Sequence, residues 1–139
     1  MPTPRILGLD LGSRRIGVAV SSGTVATPHT VLARGKDRAA DHAAIASLVD
    51  ELGAERVVVG LPLSLDGKMG PAATAAAEEA ELLGDVLAVP VETYDERLTT
   101  VTADRSLSSL GLSGPARRRV VDKVAAAVIL QAWLDRSSP

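Results

Sequence analysis

Three acidic motifs stand where a carboxylate needs a reason. Asp10 lies in the run Ile6-Leu7-Gly8-Leu9-Asp10-Leu11-Gly12, where every neighbour is aliphatic or glycine. An ionised carboxylate in such a place is costly unless it is paired or holds a cation. The alternative is an acid at a strand end that caps the following turn. Asp95 and Glu96 come just after an expected strand over 86–93, ahead of Arg97. Successive residues of a strand point to opposite faces, so only one of the two can share a site with Asp10 unless the strand has already ended. They would equally favour the positive end of a following helix. Asp122 opens a series in which positions 122, 125, 126, 129 and 133 are Asp, Ala, Ala, Ile and Trp. That spacing puts the acid on the apolar stripe of a helix, where it is either a ligand or the partner of a nearby arginine.

Carboxylates set into apolar surroundings at well-separated positions suggest a shared cation. Oxygen ligands without His or Cys select Mg²⁺ or Mn²⁺ over Zn²⁺. The chain has no cysteine, and its two histidines, His29 and His42, fall outside these motifs and are expected at the surface. A thiolate zinc site is thereby excluded, and a Ser-His-Asp triad has little support.

The net charge is −2, but it is unevenly spread. Seven acids and no bases fall in 78–96, whereas 97–123 carries six bases (Arg97, Arg105, Arg117, Arg118, Arg119, Lys123) against two acids. A local positive field attracts phosphate whatever the total. Arg117, Arg118 and Arg119 stand in the first turns of a helix, where cations oppose the dipole. Phosphate binding would explain them, and so would solvated side chains on a wet face. Arg14, Arg15, Lys68, Arg97 and Lys123 complete the candidate nucleic-acid contacts.

The elements that must carry these residues can be read from periodicity. Strands are expected over 5–11 and 15–21, joined by Gly12-Ser13-Arg14, with a third over 28–33. A helix over 39–52 stops at Gly53, and a β-branched strand covers 56–61. A loop over 62–71 leads to an Ala-rich helix over 72–83 that ends at Gly84, then a strand over 86–93 disturbed by Pro90. Helices follow over 98–110 and 115–134. The glycine-rich stretch between them, with the arginines after it, offers little burial and is expected to close over the acids as a lid. The order βββαβαβαα implies an α/β fold: an antiparallel meander joined to parallel strands in one mixed sheet, flanked by helices.

At 139 residues the chain suits one domain, 1–139. Hydrophobic residues are 46% of it and aromatics 1%, so the core must be aliphatic. The apolar run after the N-terminus is too short for a signal peptide or a membrane span, and Asp10 interrupts it. A cytoplasmic protein without membrane contact is expected.

The chain resembles the YqgF family of RNase H-like proteins, also called RuvX, described as Holliday-junction resolvases or pre-16S rRNA nucleases. LGLDLGSRRIGVAVS (7–21) resembles the family's opening strand, turn and strand with its acid. VVGLPLSLDGKMGP (58–71) resembles its Gly-Leu-Pro loop, DERLTTVTA (95–103) its second acidic motif, and VDKVAAAVILQAWLD (121–135) its terminal helix with the third acid. The resemblance covers nearly the whole chain, and four motifs in order make it specific. It implies an RNase H-like fold, with Asp10, Glu96 and Asp122 as catalytic residues and metal ligands and Asp95 beside them. In related nucleases such carboxylates are taken to hold two metals, about 3.5–4 Å apart.

The leading expectation is a nuclease, dependent on Mg²⁺ or Mn²⁺, that acts on precursor 16S rRNA in ribosome biogenesis or on a branched DNA junction. Junction cutting needs a homodimer, and rRNA processing can be done by a monomer. A non-catalytic nucleic-acid-binding factor is the alternative. An actin-like phosphotransferase is suggested by Leu9-Asp10-Leu11-Gly12-Ser13, but such enzymes set nucleotide between two such domains. Nor is Gly60…Gly67-Lys68-Met69 a Walker A loop, because the spacing is wrong and no Ser or Thr follows Lys68.

Overall fold

The computed structural model describes residues 4–64, 66–96 and 114–136, with side chains from 121 onward in the last segment. The first strand, β1 (Arg5–Leu11), turns into β2 (Arg15–Ser22), and β2 into β3 (Val25–Ala33). Gly12 N–H donates to the carbonyls of Asp10 and Arg15 and closes the first turn. Gly23 closes the second with φ of 63°, a left-handed conformation that glycine adopts at no steric cost. Helix α1 (Arg38–Leu52) then leads to β4 (Ala54–Leu61), α2 (Pro71–Val86), β5 (Val91–Asp95) and α3 (Gly114–Arg136). The five strands form one sheet in the order β3-β2-β1-β4-β5. The β1–β2 and β2–β3 pairs are antiparallel, and the β1–β4 and β4–β5 pairs are parallel. This is the expected mixed sheet, with β1 at its centre. No described helix is long and apolar enough to cross a membrane.

Helix α1 begins and ends as expected. Asp37 caps it by accepting from Ala40 N–H, and Gly53 ends it at φ of 65°. Three boundaries differ by three residues or more, the first being that β3 begins at Val25, not 28. Helix α2 runs through Gly84 to Val86, because Gly84 keeps helical dihedrals and the chain turns only where Leu87 enters the core. Strand β5 consequently starts at Val91, not 86. Pro90 stands before it, and its carbonyl accepts from Val57 N–H at 2.9 Å. The strand also ends later than expected, at Asp95, which pairs with Leu61 of β4. The expected helix over 98–110 and the part of the expected lid (108–118) before Gly114 lie outside the described residues, and 114–118 form the opening of α3.

The two faces of the sheet differ in size of side chain. Leu7, Leu9, Ile16, Val18, Val57 and Val59 pack against Ile45 and Val49 of α1 and Leu83 of α2. On the other face Ala19 and Val58 meet Ala126, Ile129 and Leu130 of α3. Glycines on three strands complete that second face. A Cβ at Gly8 would stand 2.7 Å from Leu130 Cβ and 3.0 Å from Ala126 O. One at Gly17 would collide with the carbonyl of Asp122, and one at Gly60 with Glu96 Oε2 and Ile129. Helix α3 therefore lies almost on the backbone of the sheet, as no other side chain would allow.

Candidate active site

Asp10 and Gly17 are partners across β1 and β2, so their side-chain positions share a face. Because α3 covers Gly17, Asp10 opens toward α3 at the carboxyl end of β1. Its carboxyl is pushed from 3.8 up to about 6, first by burial and then by the charge of Asp122. Asp122 is thus the near acidic neighbour that its position on the apolar stripe anticipated.

Glu96 reaches the same place from β5. Leu61 pairs with Asp95, and Glu96 N–H donates to Leu61 O at 3.2 Å, one step beyond the strand. Tyr94 packs against the cluster that Ala19 and Val58 form with α3. Alternation sends Asp95 to the other face and returns Glu96 to this one. Its Oε2 occupies the space that the missing Cβ of Gly60 leaves. Burial first, then Asp10, then Asp95 push the Glu96 carboxyl from 4.5 to about 7. The choice between Asp95 and Glu96 is therefore made by the register of β5 against β4.

Asp122 carries a further contact. Arg15 Nε donates to Asp122 Oδ2 at 2.5 Å, and both side chains are half-buried. The arginine partner foreseen as one explanation of Asp122 is present, and the acid faces Asp10 as well. Among the described residues, no three acidic or imidazole side chains already stand at the spacing of one ion. The donor chemistry fits a divalent metal nonetheless. Two half-buried carboxylates hold their protons above the ordinary range, which marks a place where negative charge lacks compensation. Hard oxygen donors of this kind suit Mg²⁺ or Mn²⁺.

The basic candidates divide. Arg14 is exposed on the β1–β2 turn beside Arg15, and Lys123 follows Asp122 on α3. Lys68 lies in the loop after β4, its side chain 84% exposed and 3.9 Å from Asp66. That loop leaves the same end of the sheet as Asp10 and Glu96, the end where sites gather in open α/β sheets. Arg97 and the side chains of Arg117, Arg118 and Arg119 lie outside the described residues. The backbone of 117–119 does fall in the opening turns of α3.

One polar cluster went unforeseen. Below the β1–β2 turn, on the face opposite the acids, Arg34 donates to Glu79 at 2.7 and 2.8 Å and to Asp41 at 3.2 Å. Its Nε donates to Gly12 O at 3.0 Å, and its N–H donates to Arg14 O at 2.9 Å. His42, expected at the surface, is buried instead, with Nε2 2.9 Å from Glu79. Burial alone would raise the Glu79 carboxyl, but hydrogen bonds from Arg34 and His42 hold it below its ordinary value. Asp41 and His42 sit one helical turn before Ile45 and two before Val49, and Glu79 falls among Ala76, Ala80 and Leu83. That spacing was the signal that could have placed them indoors. The cluster grips the turn that carries Arg14 and Arg15.

Comparison with known proteins adds to this geometry. A family profile described as RuvX, Holliday junction resolvase, matches residues 4–136. A Myxococcus xanthus protein described as a candidate pre-16S rRNA nuclease is 46% identical over 136 residues, covering 97% of this chain and 90% of its own. One from Chloroflexus aggregans with the same description is 48% identical over 133 residues, covering 94% and 92%. Among solved structures, Thermus thermophilus RuvC in complex with a Holliday junction substrate superimposes with a TM-score of 0.64 at 15% identity, covering 98% of each chain. At that identity the likeness is one of fold.

Proposed function

From the premise that this chain belongs to the RuvX family of Holliday junction resolvases, we propose that it is a metal-dependent nuclease that cuts phosphodiester bonds of structured nucleic acid. What supports the reading is that Asp10 feels the charge of Asp122, and Glu96 that of Asp10, near the carboxyl end of the central strand, so that two of the three acids are reluctant to ionise. Asp10, Glu96 and Asp122 would hold Mg²⁺ or Mn²⁺, and Asp95 adds negative potential from the far side of β5. Bound metal would supply a nucleophile at neutral pH and stabilise charge on the leaving oxygen.

The protein's own part is placement. The absence of side chains at Gly17 and Gly60 lets Asp122 and Glu96 approach Asp10. Burial strengthens every electrostatic interaction at that point. Arg14, Arg15, Lys68 and Lys123 flank the acids and would position the phosphate backbone. Arg97 and the arginines of 117–119 would extend that surface, and the chain would work in the cytoplasm.

The substrate we favour is precursor 16S rRNA, because relatives 43–48% identical carry that description. Branched DNA is the second candidate, from the family's description. Cleavage of both substrates by wild type and Asp10→Asn, in Mg²⁺ and in EDTA, tests the reading. Cutting that needs Mg²⁺ and Asp10 is expected. Intact substrates with wild type in Mg²⁺, or full activity of the variant, would refute it.

A further inference from the structure

The contact between Arg15 and Asp122 has a place in the nuclease reading just given, and rests on it. Arg15 opens β2, two residues from Gly17, so its side chain shares the face covered by α3. Its Nε takes Oδ2 of Asp122. The same carboxylate pushes up the Asp10 carboxyl. Asp122 therefore stands between a fixed cation on one side and a carboxylate that needs one on the other. A divalent ion held by Asp122 would compete with the guanidinium for that carboxylate and repel it.

We propose that Arg15 is an exchange residue: its guanidinium neutralises Asp122 until a divalent cation takes that carboxylate, and it then turns to the phosphate backbone of the nucleic acid. Three features support the movement. The Arg15 side chain is 30% exposed, so it can reach solvent without unpacking the core. The turn that carries it is held by the Arg34 cluster, so the side chain can swing while its backbone stays in place. A guanidinium freed from a carboxylate finds in phosphate an acceptor of matching shape and charge. Metal and nucleic acid would each favour the same arginine position. Their affinities must then be coupled reciprocally.

The test is calorimetric titration of the protein with Mn²⁺ alone, for wild type, Arg15→Gln and Arg14→Gln. The two variants lose the same charge from the same turn, but only Arg15 touches Asp122. Arg15→Gln should bind Mn²⁺ about tenfold more tightly than wild type, a typical coupling strength, while Arg14→Gln stays within about twofold. A second reading uses precursor rRNA in EDTA. Asp122→Asn, which releases Arg15, should bind it more tightly than wild type, and adding Arg15→Gln should cancel that gain. Binding of Mn²⁺ by wild type with no difference between the two arginine variants, or a gain in Asp122→Asn that survives loss of Arg15, overturns the exchange alone. Failure of wild type to bind Mn²⁺ overturns the metal reading and the exchange with it.

Discussion

Replacing Asp10 with Asn should make the metal-free protein more stable at pH 8. Asn keeps the shape of the side chain and removes the charge. In wild type the Asp10 carboxyl is raised from 3.8 to about 6 by burial and by Asp122. Between those values the folded chain holds a proton that the unfolded chain has released, so stability falls as pH rises through the window and then levels off. A shift of that size corresponds to about 3 kcal/mol. The amide also resists burial, so a net gain of about 1–2 kcal/mol is expected, or roughly 4–8 °C in melting temperature for a chain of this length. Melts of both proteins in EDTA from pH 4 to pH 8 would show it. The variant should be slightly less stable at pH 4, where the cost of the amide stands nearly alone, overtake wild type as pH rises toward 6, and then hold its gain. Mn²⁺ should reverse the order at pH 8 by stabilising wild type far more than the variant. A variant less stable than wild type at pH 8 in EDTA would refute the argument, because Asp10 would then be compensated within the protein.

Gly17→Ala should shift α3 away from β2, since the new Cβ meets the Asp122 carbonyl. A loss of about 1–3 kcal/mol in urea denaturation and roughly a hundredfold in cleavage rate are expected. Glu79→Gln leaves Arg34 short of its main partner and should cost about 3 kcal/mol, read by the same denaturation. Glu79 is held below its ordinary 4.5, so its contribution is present above that pH and is lost as pH falls below it; the variant should flatten this acid limb. At limiting Mg²⁺, cleavage by wild type should rise with pH through about 6 to 7 as Asp10 and Glu96 ionise, and saturating Mg²⁺ should move that rise to lower pH. A rate independent of pH at both metal levels would count against these two acids as ligands.

What was legible in the sequence follows from which signals are local. The apolar run of β1, the alternation of β2 and the stop of α1 at Gly53 were legible, because strand period and helix stops act within a few residues; the cap at Asp37 was not read. Pro90 was read as a fault inside a strand when it stands just before one. Helix α2 continues to Val86, and only tertiary packing of Leu87 sets that limit. Asp10 and Asp122 were conspicuous because each interrupts an apolar pattern. The residues alone left Asp95 and Glu96 open and the family resemblance named Glu96, because which of the two faces Asp10 depends on the pairing of β5 with β4. The Arg34 cluster was hidden for a related reason. Its members come from three elements, and charged residues on a helix stripe look solvated until their partner across the fold is known.

The glycines connect these observations. In isolation Gly8, Gly17 and Gly60 weaken the strands that hold them. Here they lie on one face of three neighbouring strands, and that face receives the helix with Asp122. Larger residues on that face would hold α3 farther from the sheet and Asp122 farther from Asp10. The opposite face, filled by Leu, Ile and Val and by the helices α1 and α2, makes up the packing that the glycines give up. The unequal faces thus let a sheet with strong aliphatic packing bring like charges together at one end. That repulsion favours a bound cation, and Asp10→Asn is the substitution that would expose it.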